Sequence, residues 1–594
     1  MSQQASLQQA IAAFQAGRLV DAETILATLR KAEGRQADVW RISGVVARAS
    51  KRPDLAETYL RKAVELNPQA GDAWNTLGLL LDSLARTDEA IEALEKARQL
   101  MPASSSPAIN LGRIWVRQKA SEKALAVLEP FLLEPAAELV YAQALQAHGQ
   151  PAEALKRYGA LARKAPGNPR IAFGEALCRL DQGEWEAALT RLNALAAQGV
   201  AEAHYPRFTA LARMGRIEEA FGALQSVLSR DPTHSDALHG AAQLYWMTDQ
   251  GDQIQPLYDM AINASGGAPA VYIAYVNVMV QMEEFDRARF VLQKALDQYG
   301  PTPWQLERSM HVEIEAEQTG AAWALAQRAE SDFPDEFSLF GNRSRAGLMA
   351  GAPGRVRELI QAARIAMPQD RFWVGMEASL ARIEGRDADY ARLVYMDSFV
   401  RTFAIEPPAG YSSIEEFNQS LAECLRRLHA FAAAPLDQSL RSGVQTPSDL
   451  RFREDPEILA FFAQLRDAVA EYREGLTQEA GHPLTGAIPA TTEIQGAWSV
   501  RLGPGGRHVN HVHPEGWISS VYYVSVPEQV AGSKQREGWL KFGEPPFPVE
   551  GLAPHDYVEP VPGQLTLFPS YLWHGTVPIQ SGERLTIALD IKPA

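Results

Sequence analysis

Over the N-terminal two-thirds of the chain the hydrophobic pattern is helical and returns at a fixed interval, the one that separates Trp40 from Trp74. Gly44, Gly78 and Gly112 keep that interval, as do Ala56, Ala90 and Ala124. Ala63 and Ala97 keep it too, with Pro68 and Pro102. Inside one period, Leu77 and Leu81 share a face of a first helix, and Ala90, Leu94 and Ala97 line a second. Small residues at Gly78 and Ala90 let two antiparallel helices approach closely, and Pro102 closes the unit because proline cannot continue a helix interior. Weaker copies lie around Ala154 and Tyr158, Ala188 and Leu192, Ala220 and Leu224, and Ala288 and Leu292, with the spacing shortened in places. Between about 300 and 395 the period stays helical but the signature fades. One such hairpin cannot bury its apolar face alone, so the units are expected to stack into a superhelix with a concave groove.

Trp74, Leu77, Gly78, Leu81, Ala90, Leu94, Ala97 and Pro102 fall where the tetratricopeptide pattern places them, and this part of the chain resembles a tetratricopeptide repeat array. The resemblance implies about ten hairpins and a groove that binds a protein or peptide. Cys178, within IAFGEALCRL, reads as a small buried hydrophobe. His148, His204, His234, His239 and His311 read as surface or satisfied histidines.

After about residue 400 the pattern changes. EPPAGYSS reads as a linker or the start of a new domain. A helix is predicted over SIEEFNQSLAECLRRLHAFAAA, capped by Ser412 or Ser413, with Ile414, Phe417, Leu421, Leu425 and Leu428 as its stripe. A second fits DPEILAFFAQLRDAVAEYREGL. From Ile494 onward short β-rich runs replace the helical period: AWSVRL, WISSVYYVSV, WLKF, QLTLF and RLTIALDI. Strands at this spacing predict a sandwich or barrel. Gly503, Gly505 and Gly506 read as a turn, since Pro504 interrupts them and no Gly-Lys-Ser/Thr follows.

Five of the twelve histidines fall in this segment, at 508, 511, 513, 555 and 574. On a strand, residues i and i+2 share a face, so His511 and His513 can reach one ion. His574 follows much later in the chain, behind a turn at Pro562-Gly563 and a strand, and Arg584 comes soon after it with Thr586 on its face. Of Tyr522 and Tyr523, which point to opposite faces, at most one reaches a cavity. His508 and His555 read as surface groups or as neighbours of the site.

HVHP, SSVYY, FPSYLWH and ERLT together resemble the iron(II)- and 2-oxoglutarate-dependent oxygenases, over about residues 435 to 594 with PLDQSLRSGVQT included. The resemblance implies iron(II) as cofactor and 2-oxoglutarate as cosubstrate, His511, His513 and His574 as metal ligands, and Arg584 as the anchor of the distal carboxylate, helped by Thr586 and Tyr523. The commoner pattern has Asp or Glu where His513 stands, so two readings stay open: three histidines, or a slipped set in which His513-Pro514-Glu515 supplies the pair. A site with only two firm protein ligands is a third. The rival enzyme class is a cupin of other chemistry, since Gly505 stands ahead of His511 and His513 as in a cupin motif; it lacks the expected glutamate, has Val577 where asparagine is expected, and has no need of Arg584. The non-enzymatic alternative is an adaptor with a degenerate barrel.

Composition narrows the picture further. With 594 residues the chain exceeds one ordinary core. No apolar run approaches a membrane span, and the N-terminus lacks a secretory signal. Cys178 and Cys424 alone make neither a disulfide framework nor a thiolate zinc site. A net charge of −15 argues against nonspecific nucleic-acid binding. The expectation is a cytoplasmic protein with no nucleic-acid or membrane partner. Its fold is expected to be a tetratricopeptide superhelix over 1–395, able to fold alone, followed by a mixed α+β domain over 396–594 with a double-stranded β-helix (jelly-roll) core. The activity expected of it is hydroxylation of a protein or peptide substrate.

Overall fold

The computed structural model describes residues 3–32, 36–429, 431 and 433–593. It divides into two compact units, 1–206 and 207–594. Among the described residues of the first lie six helical hairpins, from Gln3–Gln15 to Trp185–Ala197. Six more run from His204–Arg213 to Asp387–Leu393, so the faded region beyond residue 300 still holds three regular hairpins. No helix among the described residues is long and apolar enough to cross a membrane.

The hairpins that carry the recurring glycine are closed by the contacts their period predicts. A Cβ on Gly44 would stand 2.5 Å from Leu60 Cγ, and one on Gly78 would stand 2.6 Å from Leu94 Cγ. Only glycine permits that approach. Ala90, Leu94 and Ala97 are fully buried, as are Ala154, Tyr158, Ala188, Leu192 and Ala220 in the weaker copies. Proline opens many helices at the first turn, at Pro53, Pro151, Pro169, Pro269, Pro303 and Pro353, where its missing N–H is harmless. The turn inside each hairpin needs one left-handed residue: Gly17, Lys51, Ala85 and Lys119, then Gly149, Gly183 and Gly215, then Asp249, Glu283 and Glu317, then Gly351 and Gly385.

The C-terminal region is a mixed α+β domain of antiparallel sheets. Its strands are β1 (Arg401–Ala404), β2 (Leu440–Gln445), β3 (Thr492–His508), β4 (Ile518–Ser525), β5 (Leu540–Phe542), β6 (Asp556–Val558), β7 (Gln564–Pro569), β8 (His574–Thr576) and β9 (Arg584–Pro593). Six form one sheet in the order β1-β7-β4-β9-β3-β2, and three form a second in the order β6-β5-β8. All five predicted runs are strands. β1, β2, β6 and β8 are additional; β2 arises from the PLDQSLRSGVQT segment.

The helices Ile414–Leu428 and Pro456–Glu474 pack on the outer face of the large sheet, where Phe417, Leu421, Leu425, Phe461 and Leu465 meet Tyr522, Ile587 and Leu589. Ser413 caps the first helix by accepting from Glu416 N–H at 3.2 Å. Two expectations are corrected. EPPAGYSS is not a linker between domains, because β1 before it already pairs with β7 inside the sheet. Gly503–Gly506 is not a free turn: it bulges out of β3 between Leu502 and Arg507, which pair with Gly443 and Arg441.

The composition boundary near residue 395 lies within the second unit, and one core crosses it. Val374, Ala378, Leu393 and Val394 belong to the same buried cluster as Leu565, Leu567 and Tyr571. The Trp573 indole donates to Gly375 O and to Ser379 Oγ, both at 3.0 Å. Arg382 donates to Gly543 O at 3.1 Å and to Ala553 O at 2.9 Å. The last hairpins are therefore packed against the C-terminal sheets.

Candidate functional site

His511 lies just beyond β3 rather than on a regular strand. Its place is set by a backbone bridge to His574, with His511 N–H donating to His574 O at 2.9 Å and His574 N–H returning to His511 O at 3.1 Å. The two rings stand on one side of this bridge with centroids 4.3 Å apart. Val512 turns the other way, into the cluster around Trp573, so His513 returns to the side of His511. His513 N–H donates to Ser570 O at 2.9 Å, which holds its backbone.

Each of the three rings is held through Nδ1. The acceptors are Val509 O for His511 and Leu572 O for His574, both at 2.8 Å, and the Asp590 carboxylate for His513 at 2.7 Å. A carbonyl and a carboxylate only accept, so every Nδ1 carries a proton, and in a neutral ring that leaves the Nε2 lone pair for a metal. The donor atoms of His511, His513 and His574 lie within 4.8 Å of one another, with 3.1 Å between the Nε2 atoms of His511 and His513. Burial and the neighbouring His513 push His511 down to about 3; burial, then His511 and His513, hold His574 well below the usual imidazole range. Neutral rings with converging lone pairs are what a divalent cation requires. Glu515, the alternative third ligand, is exposed and accepts from Gln495 at 3.1 Å instead.

The strand β9 supplies the rest by its period of two. Arg584, Thr586, Ala588 and Asp590 face a cavity of about 810 Å³, while Leu585, Ile587, Leu589 and Ile591 face the helices. Arg584 is 1% exposed, with its guanidinium carbon 5.2 Å from the centre of the Tyr523 ring. Among the described residues no carboxylate pairs with it, and neither Arg584 Nε nor the Tyr523 hydroxyl has a hydrogen-bond partner. Burial lowers its pKa from the usual guanidinium value. Thr586 is buried beside it, opposite Tyr523 in the sheet register. Tyr522 points outward, donating to Asn418 Oδ1 at 2.7 Å.

The cavity is lined by five of the six predicted site residues, His511, His513, His574, Arg584 and Thr586; the sixth, Tyr523, lies outside the lining with its ring against Arg584. His508 belongs there as well: Ser439 Oγ lies 2.9 Å from its Nδ1 and 3.3 Å from His511 Nε2. His555 does not; it contacts Tyr390 and Asp556 away from the cavity. Sequence reasoning missed Asp590, although its place six residues after Arg584 puts it on the same strand face. Asp590 orients His513 and also accepts from Ser519 at 2.9 Å, the arrangement that fixes metal-binding imidazoles.

The family model described as "Putative 2OG-Fe(II) oxygenase" matches residues 496–590, a span that holds all six predicted residues. Tetratricopeptide repeat models match residues 7–71, 49–106 and 145–210. The chain is a tetratricopeptide repeat protein with a C-terminal domain of the 2OG-Fe(II) oxygenase family. Among solved structures, this repeat–oxygenase chain is similar to a protein in "Functional Characterization of Pseudomonas Aeruginosa pilF", at 23% identity and TM-score 0.30, over 33% of this chain and 90% of that one. It is also similar to a tetratricopeptide repeat protein from Parabacteroides merdae, at 14% identity and TM-score 0.35, over 44% and 98% respectively. A third is a thermophilic repeat protein in Thermus thermophilus, at 18% identity and TM-score 0.26, over 30% and 100%. No curated protein matches.

Proposed function

We propose that this oxygenase-family protein hydroxylates a protein or peptide with iron(II) and 2-oxoglutarate. In this reading residues 1–395 recruit the substrate and residues 396–594 carry the chemistry. The observation that carries it is Arg584, a buried cation with no carboxylate partner among the described residues, beside three histidines whose lone pairs converge. A buried guanidinium is costly unless an anion and hydrogen bonds meet it. Neither a cupin of other chemistry nor an inert barrel has a use for one at this position.

His511, His513 and His574 would hold the iron, and their nitrogen donors leave places for oxygen ligands. Iron and 2-oxoglutarate supply the oxidising power: with dioxygen consumed, one oxygen atom enters a substrate C–H bond, and succinate and carbon dioxide leave. The chain's own work is positioning. Val509 O, Leu572 O and Asp590 keep each ring in the tautomer that can bind metal. Arg584 meets the distal carboxylate with a planar pair of N–H donors, Thr586 lines the same pocket, and Tyr523 supports the guanidinium from behind. Phe568, whose ring centre is 4.6 Å from that of His574, and Trp498, 6.3 Å from His513, keep water from the donors.

The test compares 2-oxoglutarate binding and succinate release in wild type and Arg584→Ala, with iron content checked in both. Loss of one partner of a buried charge pair costs about 2–5 kcal/mol, so affinity should fall by at least thirtyfold while iron is retained. Arg584→Lys should be impaired as well, because it keeps the charge and loses the fork. If iron-loaded wild type has no affinity for 2-oxoglutarate, or Arg584→Ala binds it equally well, the reading fails.

A further inference from the structure

One wall of the metal cavity does not come from the sheets. Gln281, Glu315, Arg345 and Phe372 reach it from four helices of the array: Pro269–Gln281, Pro303–Glu315, Phe340–Met349 and Arg371–Ile383. Gln281 and Glu315 end their helices and stand one repeat period apart, the same interval as Trp40 to Trp74, so successive repeats present the same position to the cavity. Arg345 is 9% exposed; it donates to Glu315 at 2.5 Å and to Asn342 Oδ1 at 3.2 Å, and lies 5.2 Å over the Phe547 ring. Phe372 meets Trp573, the residue that precedes His574, edge-on at 6.1 Å.

Polar atoms around this cavity are left unmatched. Gln281 Oε1 and Arg345 Nε on the array side, and Gln495 Oε1 and Asn510 Oδ1 on the barrel side, are buried without a hydrogen-bond partner among the described residues. Two of the amides are fixed in orientation. Gln495 Nε2 donates to the Glu515 carboxylate at 3.1 Å, and Asn510 Nδ2 to the Glu544 carboxylate at 2.8 Å and Pro545 O at 3.2 Å. Those acceptors cannot donate, so the amide oxygens opposite them are acceptors. Arg345 Nε can only donate. The surroundings of the cavity thus hold unmatched groups of both signs, and buried polar groups of this kind are normally satisfied.

We propose that this array-derived wall reads an extended peptide segment of the substrate, and that Gln281, Glu315, Arg345 and Phe372 are specificity-determining residues of the oxygenation. The inference rests on the oxygenase reading above and names its substrate class. A peptide backbone carries N–H donors and C=O acceptors in alternation, which complements unmatched groups of both signs; a small acid or a hydrocarbon does not. Phe372 adds an apolar surface for a side chain. A cavity of about 810 Å³ accommodates the cosubstrate and a short stretch of chain, but no folded domain. The array then selects within the catalytic cavity, in addition to any capture along its groove.

The experiment gives the full chain, with iron(II), 2-oxoglutarate and dioxygen, a degenerate library of short peptides, and reads singly oxygenated products by mass spectrometry. Wild type is compared with Gln281→Ala and Phe372→Ala; Arg345 is left in place because its buried ion pair also supports the fold. Wild type should oxidise a subset with a shared sequence preference. Each variant should lose at least tenfold in kcat/KM on those peptides or shift the preference, with iron content and 2-oxoglutarate affinity at wild-type level. Identical preference and rates in the variants overturn the proposal. So does a wild type that binds iron and 2-oxoglutarate but oxidises no peptide. A wild type that does not bind 2-oxoglutarate instead overturns the oxygenase reading, and this proposal with it.

Discussion

Gly78 and Gly375 do the same job for different partners. A Cβ on Gly78 would stand 2.6 Å from Leu94 Cγ, on the second helix of the same hairpin. A Cβ on Gly375 would stand 2.8 Å from Trp573 Cε2, and the hydrogen bond from that indole to Gly375 O spans 198 residues. In the early repeats such a close approach is settled within one period. Around the C-terminal sheets the same approach joins a helix of the array to the strand that bears His574, one of the three converging histidines. The difference shows what each region is sensitive to: a fault in the first stays in its hairpin, and a fault in the second reaches the site.

The largest expected effect tests that contrast directly. Trp573→Ala empties a buried slot and removes two hydrogen bonds, and should cost about 3–5 kcal/mol in denaturant unfolding. Leu94→Ala should cost a comparable amount, about 2–5 kcal/mol. Titration with iron(II) separates them: Trp573→Ala should weaken metal binding through His574, and Leu94→Ala should leave it untouched. Equal metal affinity in both would break the comparison.

A smaller effect sharpens it at the site. Asp590→Asn leaves the three imidazoles in place but replaces the carboxylate that orients His513, which should reduce metal affinity by about 10- to 100-fold. Glu515→Gln should have no such effect. If Glu515→Gln is the variant that loses metal by orders of magnitude, the third ligand is Glu515 and the proposed triad is wrong.

The smallest effect lies in the early repeats. Ala85 occupies a left-handed turn position at φ 59° that costs a side-chain-bearing residue about 1–2 kcal/mol. Ala85→Gly relieves that strain but adds about 0.4–1 kcal/mol of unfolded-state entropy, which opposes folding. Thermal unfolding should therefore show a net gain below about 1.5 kcal/mol, with metal binding unchanged.

The same contrast explains what could be read from the chain in advance. Gly78, Ala90, Leu94 and Ala97 announce their hairpin because their contacts lie within one period. The strand runs and the set of His511, His513, His574 and Arg584 were legible because alternation and short motifs are also local. β1 was not: Arg401–Ala404 is a strand only because β7, which lies on the far side of both packing helices in the sequence, pairs with it. Nor were Gln281, Glu315, Arg345 and Phe372, ordinary helix residues until the fold closes the cavity on them. Asp590 was within reach, since a period of two from Arg584 marks it. The hairpin turns were within reach as well, because their left-handed residues recur once per period through much of the array, under a changing cast of Lys, Ala, Gly, Asp and Glu.

The seat of Trp573 on Gly375 and Ser379 bears on how such a protein can be rebuilt. Repeat arrays invite exchange, since one set of hairpins can often replace another. Here a graft that substitutes a foreign array ahead of residue 396 would bring neither the bare glycine backbone nor the carbonyl and hydroxyl that receive the indole N–H. It would leave a large aromatic ring without its slot and a buried donor without its acceptors, next in the chain to His574. The two parts are therefore inherited together from Arg371–Ile383 onward: a chimera that keeps that helix with the barrel should retain its metal site, and one that discards it should not.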